Sequence, residues 1–171
     1  MNTLVVSKVK LYQEARRKDI LKGKDYGKLS NPEAVAAVGR HFLRGDTKES
    51  MLAIAVNTKN ELIAVYNVFS GSISSISVST REIMQFALLN NAAQMFILHN
   101  HPSGHTEPSL ADIDFTSRLQ MAGSLMDIDL LDHVVITDDD YASIRTHEPQ
   151  LFDRPTEMEL ESLIAEERKR F

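Results

Sequence analysis

Short apolar runs of strand length alternate with segments of helical periodicity along this chain. Met95–Leu98 is a continuous apolar run, which is typical of a strand buried on both faces. After Pro108, apolar residues recur at helical spacing at Phe115, Leu119 and Ala122. A chain that alternates these two patterns covers a sheet with helices. The sequence therefore predicts an α/β or α+β domain around a central mixed β-sheet.

Local signals predict the remaining elements in chain order. Helix-start signals stand at Asn31–Pro32, Ser79–Glu82, Pro108–Ser109 and Thr156–Glu159. Apolar patterns predict a strand over 3–12, two strands within 50–69 joined at Lys59–Asn60, an irregular strand over 73–78, and strands over 128–137 and 141–144. Residues 146–155 show no periodicity. We therefore divide the chain into an N-terminal strand, basic linker and helix (1–45), a main domain (46–146) and a C-terminal helical extension (147–171).

Composition excludes several classes of protein. The chain has no Cys, so it has no disulfides and no Cys-ligated metal, and any bound metal must use His, Asp or Glu. No apolar run reaches the roughly 20 residues that span a bilayer, and the N-terminus lacks the apolar core of a signal peptide. We therefore expect a soluble cytoplasmic protein with no membrane partner.

The charge distribution is uneven. Residues 1–28 contain eight Lys or Arg and three acidic residues, whereas the whole chain has a net charge of −5. A basic arm of this kind can bind nucleic acid or an acidic partner. No aromatic residues alternate with its charges to stack on bases, so a solvated edge is the alternative interpretation.

One short stretch combines residues that could bind a metal. His99 and His101 lie two apart at the end of the buried strand, so the pleat directs both imidazoles to the same side. Asp112 falls in the first turn of the helix that Ser109 would cap. Two nitrogens and one carboxylate would bind zinc and leave one position open for water, which is typical of a catalytic site. Taken alone, Ser109-x-x-Asp112 is also an ordinary helix cap.

The full spacing resembles a known motif. His99-x-His101-x7-Ser109-x2-Asp112 is similar to the motif of the JAMM (MPN+) metallopeptidases, and the surrounding HNHPSG resembles the RadC branch of that superfamily. The blocks that carry the resemblance are STREIMQFALLNNAAQMFILHNHPSG, PSLADIDFT and LLDHVVIT, within 49–143. The resemblance implies a RadC-type JAB/MPN domain over 46–146, with a cytidine-deaminase-like architecture. It also implies zinc bound by His99, His101 and Asp112.

The same resemblance implies a reaction, the hydrolysis of a peptide or isopeptide bond. Glu49 matches the position of the catalytic acid/base, and Ser109 matches a hydroxyl that donates to the tetrahedral intermediate. In such a reaction zinc activates water, the Glu transfers the proton and the hydroxyl supports the oxyanion. Glu82, which we assign to a capping box, and Glu107, in the loop between the ligands, are the alternative bases.

Several further assignments stay open at this point. His105 and Glu107 either contact substrate or lie in a solvated loop, and Asp132–His133 either hydrogen-bonds to a ligand imidazole or forms a structural pair. His41 and His147 have no motif context. Self-association of the chain is also open, since the C-terminal helix could mediate it.

A nucleic-acid-binding accessory protein of DNA repair or mobile elements is the alternative function. It rests on the DNA-repair label of the RadC family and on the basic arm. Longer RadC members begin with a helix-hairpin-helix domain, for which we expect the residues before the match to be too few. A scaffold without catalysis is less consistent with the sequence, because all three ligand positions are filled.

Overall fold

The computed structural model describes residues 26–71 and 79–156, together with positions 158, 159, 161, 162 and 165. Three predictions lie wholly or largely outside these residues: the strand over 3–12, the basic arm over 1–28 and the irregular strand over 73–78. Beyond Thr156, where the sequence predicts a helix, the chain is described only at those five positions. The fold below concerns the described residues.

A mixed sheet forms the centre of the domain, as predicted, and it has five described strands. Its strands are β1 (Glu49–Val56), β2 (Leu62–Gly71), β3 (Gln94–Asn100), β4 (Asp129–Ile136) and β5 (Tyr141–Ser143), in the order β2-β1-β3-β4-β5. Only β3 and β4 are parallel, and the other neighbours are antiparallel. The helices are α1 (Pro32–Leu43), α2 (Thr80–Leu89), α3 (Leu110–Leu125) and α4 (Ile144–His147). No described helix is long and apolar enough to cross a membrane.

Helices cover both faces of the sheet. Met51, Ala53 and Ala55 of β1 belong to a buried cluster with residues of α2 and α3. The intervening Leu52 and Ile54 belong to a second cluster with residues of α1. This alternation follows the two-residue period of a strand. It also explains why the sequence of β1 is apolar at consecutive positions, since helices cover both sides of this strand.

Helix caps agree with the sequence in most places. Asn31 accepts a hydrogen bond from the Ala34 amide at 2.8 Å, and Pro32 follows it at the start of α1. Ser109 caps α3 in a full capping box. The capping box predicted at Ser79–Glu82 is wrong, because the Ser79 side chain makes no cap hydrogen bond. The Glu82 amide, which a capping hydroxyl would satisfy, donates instead to the Ser79 carbonyl at 3.1 Å.

The segment after β5 is more regular than its sequence suggests. The strand ends at Ser143, whose hydroxyl accepts from the Thr146 amide at 3.0 Å and starts the single-turn helix α4. A 3-10 turn over Pro149–Phe152 follows. Elements of four residues are too short to show a periodicity. The predicted capping box at Thr156–Glu159 is present, with the Glu159 carboxylate accepting from the Thr156 amide at 2.7 Å.

Candidate metal centre

Two imidazoles converge at the carboxyl end of β3. Alternation along β3 places His99 on the same sheet face as Ile97, which packs with α2 and α3. His101 extends the ladder by one bond, from its amide to the Ile136 carbonyl at 2.9 Å. The Nε2 atoms of His99 and His101 are 2.9 Å apart. The two rings therefore meet on one side, as the two-residue spacing predicts.

The Asp112 carboxylate faces both rings from the first turn of α3. Its Oδ1 atom is 3.4 Å from Nε2 of His99, and its Oδ2 atom is 3.8 Å from Nε2 of His101. Oδ2 also accepts from the Ser109 amide at 2.8 Å and from the Ser109 hydroxyl at 2.6 Å. The helix cap thus fixes the carboxylate and leaves Oδ1 directed at His99.

A buried hydrogen-bond chain sets the tautomer of His99. The Thr116 hydroxyl donates to the Asp112 carbonyl at 2.6 Å, so its oxygen accepts from Nδ1–H of His133 at 2.7 Å. Nε2 of His133 is then unprotonated, and it accepts from Nδ1–H of His99 at 2.8 Å. His99 therefore presents the lone pair of Nε2 to Asp112 and His101.

Burial favours the neutral form of both rings in this hydrogen-bond network, those of His99 and His133. It lowers the pKa of His99 to about 4, an effect that Asp112 opposes and the charge of His101 reinforces. Burial also lowers the pKa of His133 well below its usual value, and the charges of His99 and His101 add to this effect. A neutral imidazole is the form that binds a metal.

The second ring also directs its Nε2 atom into the site. Nδ1–H of His101 donates to the His105 carbonyl at 2.9 Å, so in the neutral ring the lone pair lies on Nε2. Two neutral rings would place lone pair against lone pair at 2.9 Å, an arrangement that a cation shared by the two nitrogens would stabilise. Donors around a tetrahedral zinc with bonds of about 2.0–2.1 Å lie about 3.3 Å apart. Here the two rings are 2.9 Å apart, and the two oxygens of Asp112 lie 3.4 Å from His99 and 3.8 Å from His101. The residues therefore fit zinc in donor type and spacing.

A second carboxylate lies on the more open side of the pair. Oε1 of Glu49, at the start of β1, is 3.7 Å from Nε2 of His101. Donor atoms of Glu49, His99 and His101 all lie within 4.8 Å of one another, so these three residues could hold a metal as well. The Glu49 side chain is 22% exposed and that of Asp112 only 4%. The buried, tethered carboxylate suits a ligand and the exposed one suits a proton carrier, and this division stays a prediction.

Comparison with known proteins identifies the domain. The model of the RadC-like JAB domain family matches residues 29–149. The chain belongs to the RadC family. It is 43% identical over 107 residues to a UPF0758 protein of Stenotrophomonas maltophilia (strain K279a), covering 63% of this chain and 46% of that protein. It is 37% identical over 120 residues to a UPF0758 protein of Enterococcus faecalis, covering 70% and 52%.

A UPF0758 protein of Clostridium tetani is 40% identical over 123 residues, covering 72% of this chain and 54% of that protein. The RadC-family chain thus spans about half the length of the curated relatives that it matches. Their names state no activity. The family and its JAB/MPN-type domain are therefore shown, whereas a reaction has to be argued from the site.

Asn100 contributes to this RadC site in a way that the sequence analysis missed. It lies between the two histidines and on the opposite face of the strand. Its Oδ1 accepts from the Ser50 amide at 2.7 Å, and its Nδ2 donates to the Lys48 carbonyl at 3.0 Å. Asn100 thereby holds the chain on both sides of Glu49. The signal available in the sequence was its place within HNHPSG.

The other candidates take simpler roles. His133 supports His99, whereas Asp132 accepts from the Ser143 hydroxyl at 2.7 Å and from the amides of His133 and Arg145. Burial raises the pKa of Asp132, and these hydrogen bonds oppose the shift. Of the predicted pair, His133 therefore hydrogen-bonds to a candidate metal ligand, whereas Asp132 has a structural role.

The alternative bases lie on the surface. Glu82 and Glu107 are both exposed, and no described ion pair or hydrogen bond joins either to His99 or His101. His105 contributes its backbone carbonyl to the site, while its side chain is exposed. Glu49 is thus the candidate base that lies within 4 Å of a predicted ligand ring.

Proposed function

We propose that this RadC-family domain is a zinc-dependent hydrolase of amide bonds. The observation that carries the proposal is the convergence of three side chains: the Nε2 atoms of His99 and His101 are 2.9 Å apart, and Asp112 Oδ1 lies 3.4 Å from the first. When bound, zinc would make water nucleophilic near neutral pH and polarise a carbonyl. Peptide or isopeptide bonds are the proposed substrates, since the JAMM motif supports that class.

Glu49 is the proposed general base and acid. Its carboxylate lies beside the open side of the histidine pair and is partly exposed, so it can accept a proton from an attacking water. It can then return that proton to the departing amine. Asn100 keeps Glu49 in place by binding the backbone of Lys48 and Ser50.

We propose that the Ser109 hydroxyl has two functions: it donates to Asp112 at rest, and it donates to the oxyanion during the reaction. Its hydroxyl proton points at Asp112 Oδ2 in the structure, so it must turn away to support a developing oxyanion. The Ser109 amide donates to the same oxygen at 2.8 Å. The carboxylate therefore stays tethered while the hydroxyl turns.

Metal content and turnover together test the proposal. We expect about one zinc per chain by elemental analysis, and hydrolysis of some member of a peptide and isopeptide library by the metal-loaded protein. Asp112→Ala should lose the metal, and Glu49→Gln should keep the metal and lose hydrolysis. Glu82→Gln is the matched control, because Glu82 is exposed and should change neither quantity.

Two outcomes contradict the proposal. Retained turnover in Glu49→Gln excludes that residue as the base, and full zinc occupancy in Asp112→Ala excludes that ligand set. Nucleic-acid binding through the basic arm and self-association stay predictions from the sequence, and no described contact favours either.

A further inference from the structure

A second feature adjoins the candidate metal centre. A cavity of about 330 Å³ lies at the carboxyl ends of the parallel strands β3 and β4, and His101 forms part of its wall. Cavities of this size hold small ligands or single residues of larger ones, and crevices at carboxyl ends of strands are common binding sites. His101 thus adjoins both the metal site and this cavity.

Helix α1 and the residue that ends it supply two cations to the cavity. Arg40 and Arg44, one helical turn apart, both line it. The helix can approach β3 closely because residue 39 is Gly, where a Cβ atom would lie 2.4 Å from Cδ1 of Leu98. The close packing of α1 on the sheet therefore brings a guanidinium beside the end of β3.

These guanidinium groups lack anionic partners within the described chain. No ion pair joins Arg40 or Arg44 to a described carboxylate, although Tyr141 lies under the Arg40 guanidinium at 5.9 Å. Nε of Arg40 is buried and has no hydrogen-bond partner. A buried donor without an acceptor is unfavourable, so the described protein leaves the guanidinium of Arg40 incompletely satisfied.

Two acidic residues also line the cavity, but neither neutralises Arg40 directly. Oδ2 of Asp46 accepts from the Ser50 hydroxyl at 3.2 Å, and Asp138 is exposed in the turn after β4. Guanidinium groups bind carboxylates through two parallel hydrogen bonds, a geometry that an isolated ammonium cannot match. A guanidinium on the cavity wall that has no ion pair with a described carboxylate thus suits a carboxylate ligand.

We propose that this cavity binds a carboxylate of the substrate beside the scissile amide, with Arg40 as its main contact and Arg44 as a second. The inference rests on the proposed function, because the ligand is called a substrate only if the domain is a hydrolase. Binding of the carboxylate itself needs no hydrolysis. The carboxylate belongs either to a C-terminal residue or to an Asp or Glu side chain. Both sources share the same chemistry.

Binding of short peptides tests the inference separately from catalysis. The protein is the full chain with Glu49→Gln, studied as purified and after addition of zinc, so that turnover does not remove the ligand. The probes are acetyl-Gly-Gly as free acid and as amide, and acetyl-Gly-Glu-amide against acetyl-Gly-Gln-amide. Dissociation constants are measured by titration of the backbone amide signals in NMR spectra.

We expect at least one acid to bind about tenfold more tightly than its neutral partner, as one charge-assisted contact predicts. The acid that does so identifies the source of the carboxylate. Arg40→Gln should remove this preference, whereas the control Arg118→Gln should keep it, because Arg118 pairs with Asp114 on α3 and does not line the cavity. If Arg40→Gln does not fold, Arg44→Gln should weaken the preference.

Equal binding of acids and neutral partners overturns the inference. So does an acid preference that persists in Arg40→Gln, since the carboxylate would then bind the metal or another group. Hydrolysis by the unsubstituted protein is measured separately, and its result does not depend on these dissociation constants. A failure of the proposed function can thus be distinguished from a failure of this site.

Discussion

Thr116→Val tests whether the buried hydrogen-bond chain controls metal binding. The substitution is close to isosteric and removes the one oxygen that accepts from Nδ1–H of His133. His133 then either leaves that N–H without an acceptor or moves its proton to Nε2. In the second case His133 no longer accepts from His99, and the His99 proton moves to the nitrogen that faces the metal.

Either response has a cost that can be stated. An unsatisfied buried N–H costs about 1–3 kcal/mol of stability. Loss of a hydrogen-bond partner behind a metal ligand lowers metal affinity by about 10–100-fold. We therefore expect Thr116→Val to bind zinc about 10–100-fold more weakly, with a free energy of unfolding about 1–3 kcal/mol lower.

Gly123→Ala is the matched control, because it should destabilise the same helix without touching the site. A Cβ atom at Gly123 would lie 2.4 Å from the Ile128 carbonyl oxygen, which is backbone and cannot rotate away. Overpacking of this kind costs about 1–3 kcal/mol. Urea denaturation measures the stability of both variants, and competition with a chromophoric chelator measures zinc affinity. If Thr116→Val binds zinc no more weakly than Gly123→Ala, the tautomer argument is wrong.

Three further predictions concern the surroundings of the site. Asn100→Ala should lower the free energy of unfolding, measured in urea, by about 1–3 kcal/mol, because the Ser50 amide loses its acceptor. The same variant should show a reduced kcat with a smaller change in KM, because Glu49 loses its support. Gly39→Ala should cost about 1–3 kcal/mol of stability through contact with Leu98, and a Tm equal to that of the original protein would contradict the close packing of α1. Zinc at a hundred times its dissociation constant should stabilise the domain by about 2.7 kcal/mol over the chelator-treated protein, and an unchanged Tm would contradict a site that binds only the folded state.

The arrangement of His99, His101 and Asp112 was predictable because each part rests on short-range rules. The strand pleat orients the two rings, and the Ser109 cap places Asp112 in the first turn of α3. Only the approach of strand end and helix start had to be assumed. The 3.4 Å between Asp112 Oδ1 and Nε2 of His99 shows that the strand end and the helix start meet, while metal binding by these residues stays a prediction.

The contacts behind the site were not predictable, because they depend on strand register. His133 bonds to His99 since β3 and β4 are parallel and Ile97 lies opposite His133, which sets that ring beside His99. Asn100 reaches Ser50 only because β1 is antiparallel to β3 in one register. No local pattern fixes either register. The capping box at Ser79 failed for a different, local reason, since the Glu82 amide donates to the Ser79 carbonyl and not to its hydroxyl.

Ser109 shows why the motif needs a test that separates structure from chemistry. Its hydroxyl both accepts from the Asp112 amide at 3.2 Å and donates to the Asp112 carboxylate, so Ser109→Ala removes a cap and loosens a ligand together. Loss of a cap costs about 1 kcal/mol, and weakened zinc binding alone is corrected by adding zinc. Loss of an oxyanion donor lowers kcat about 10²–10³-fold at any zinc concentration. We expect Ser109→Ala to stay slow at saturating zinc, whereas full recovery of kcat would restrict Ser109 to holding the helix and the carboxylate.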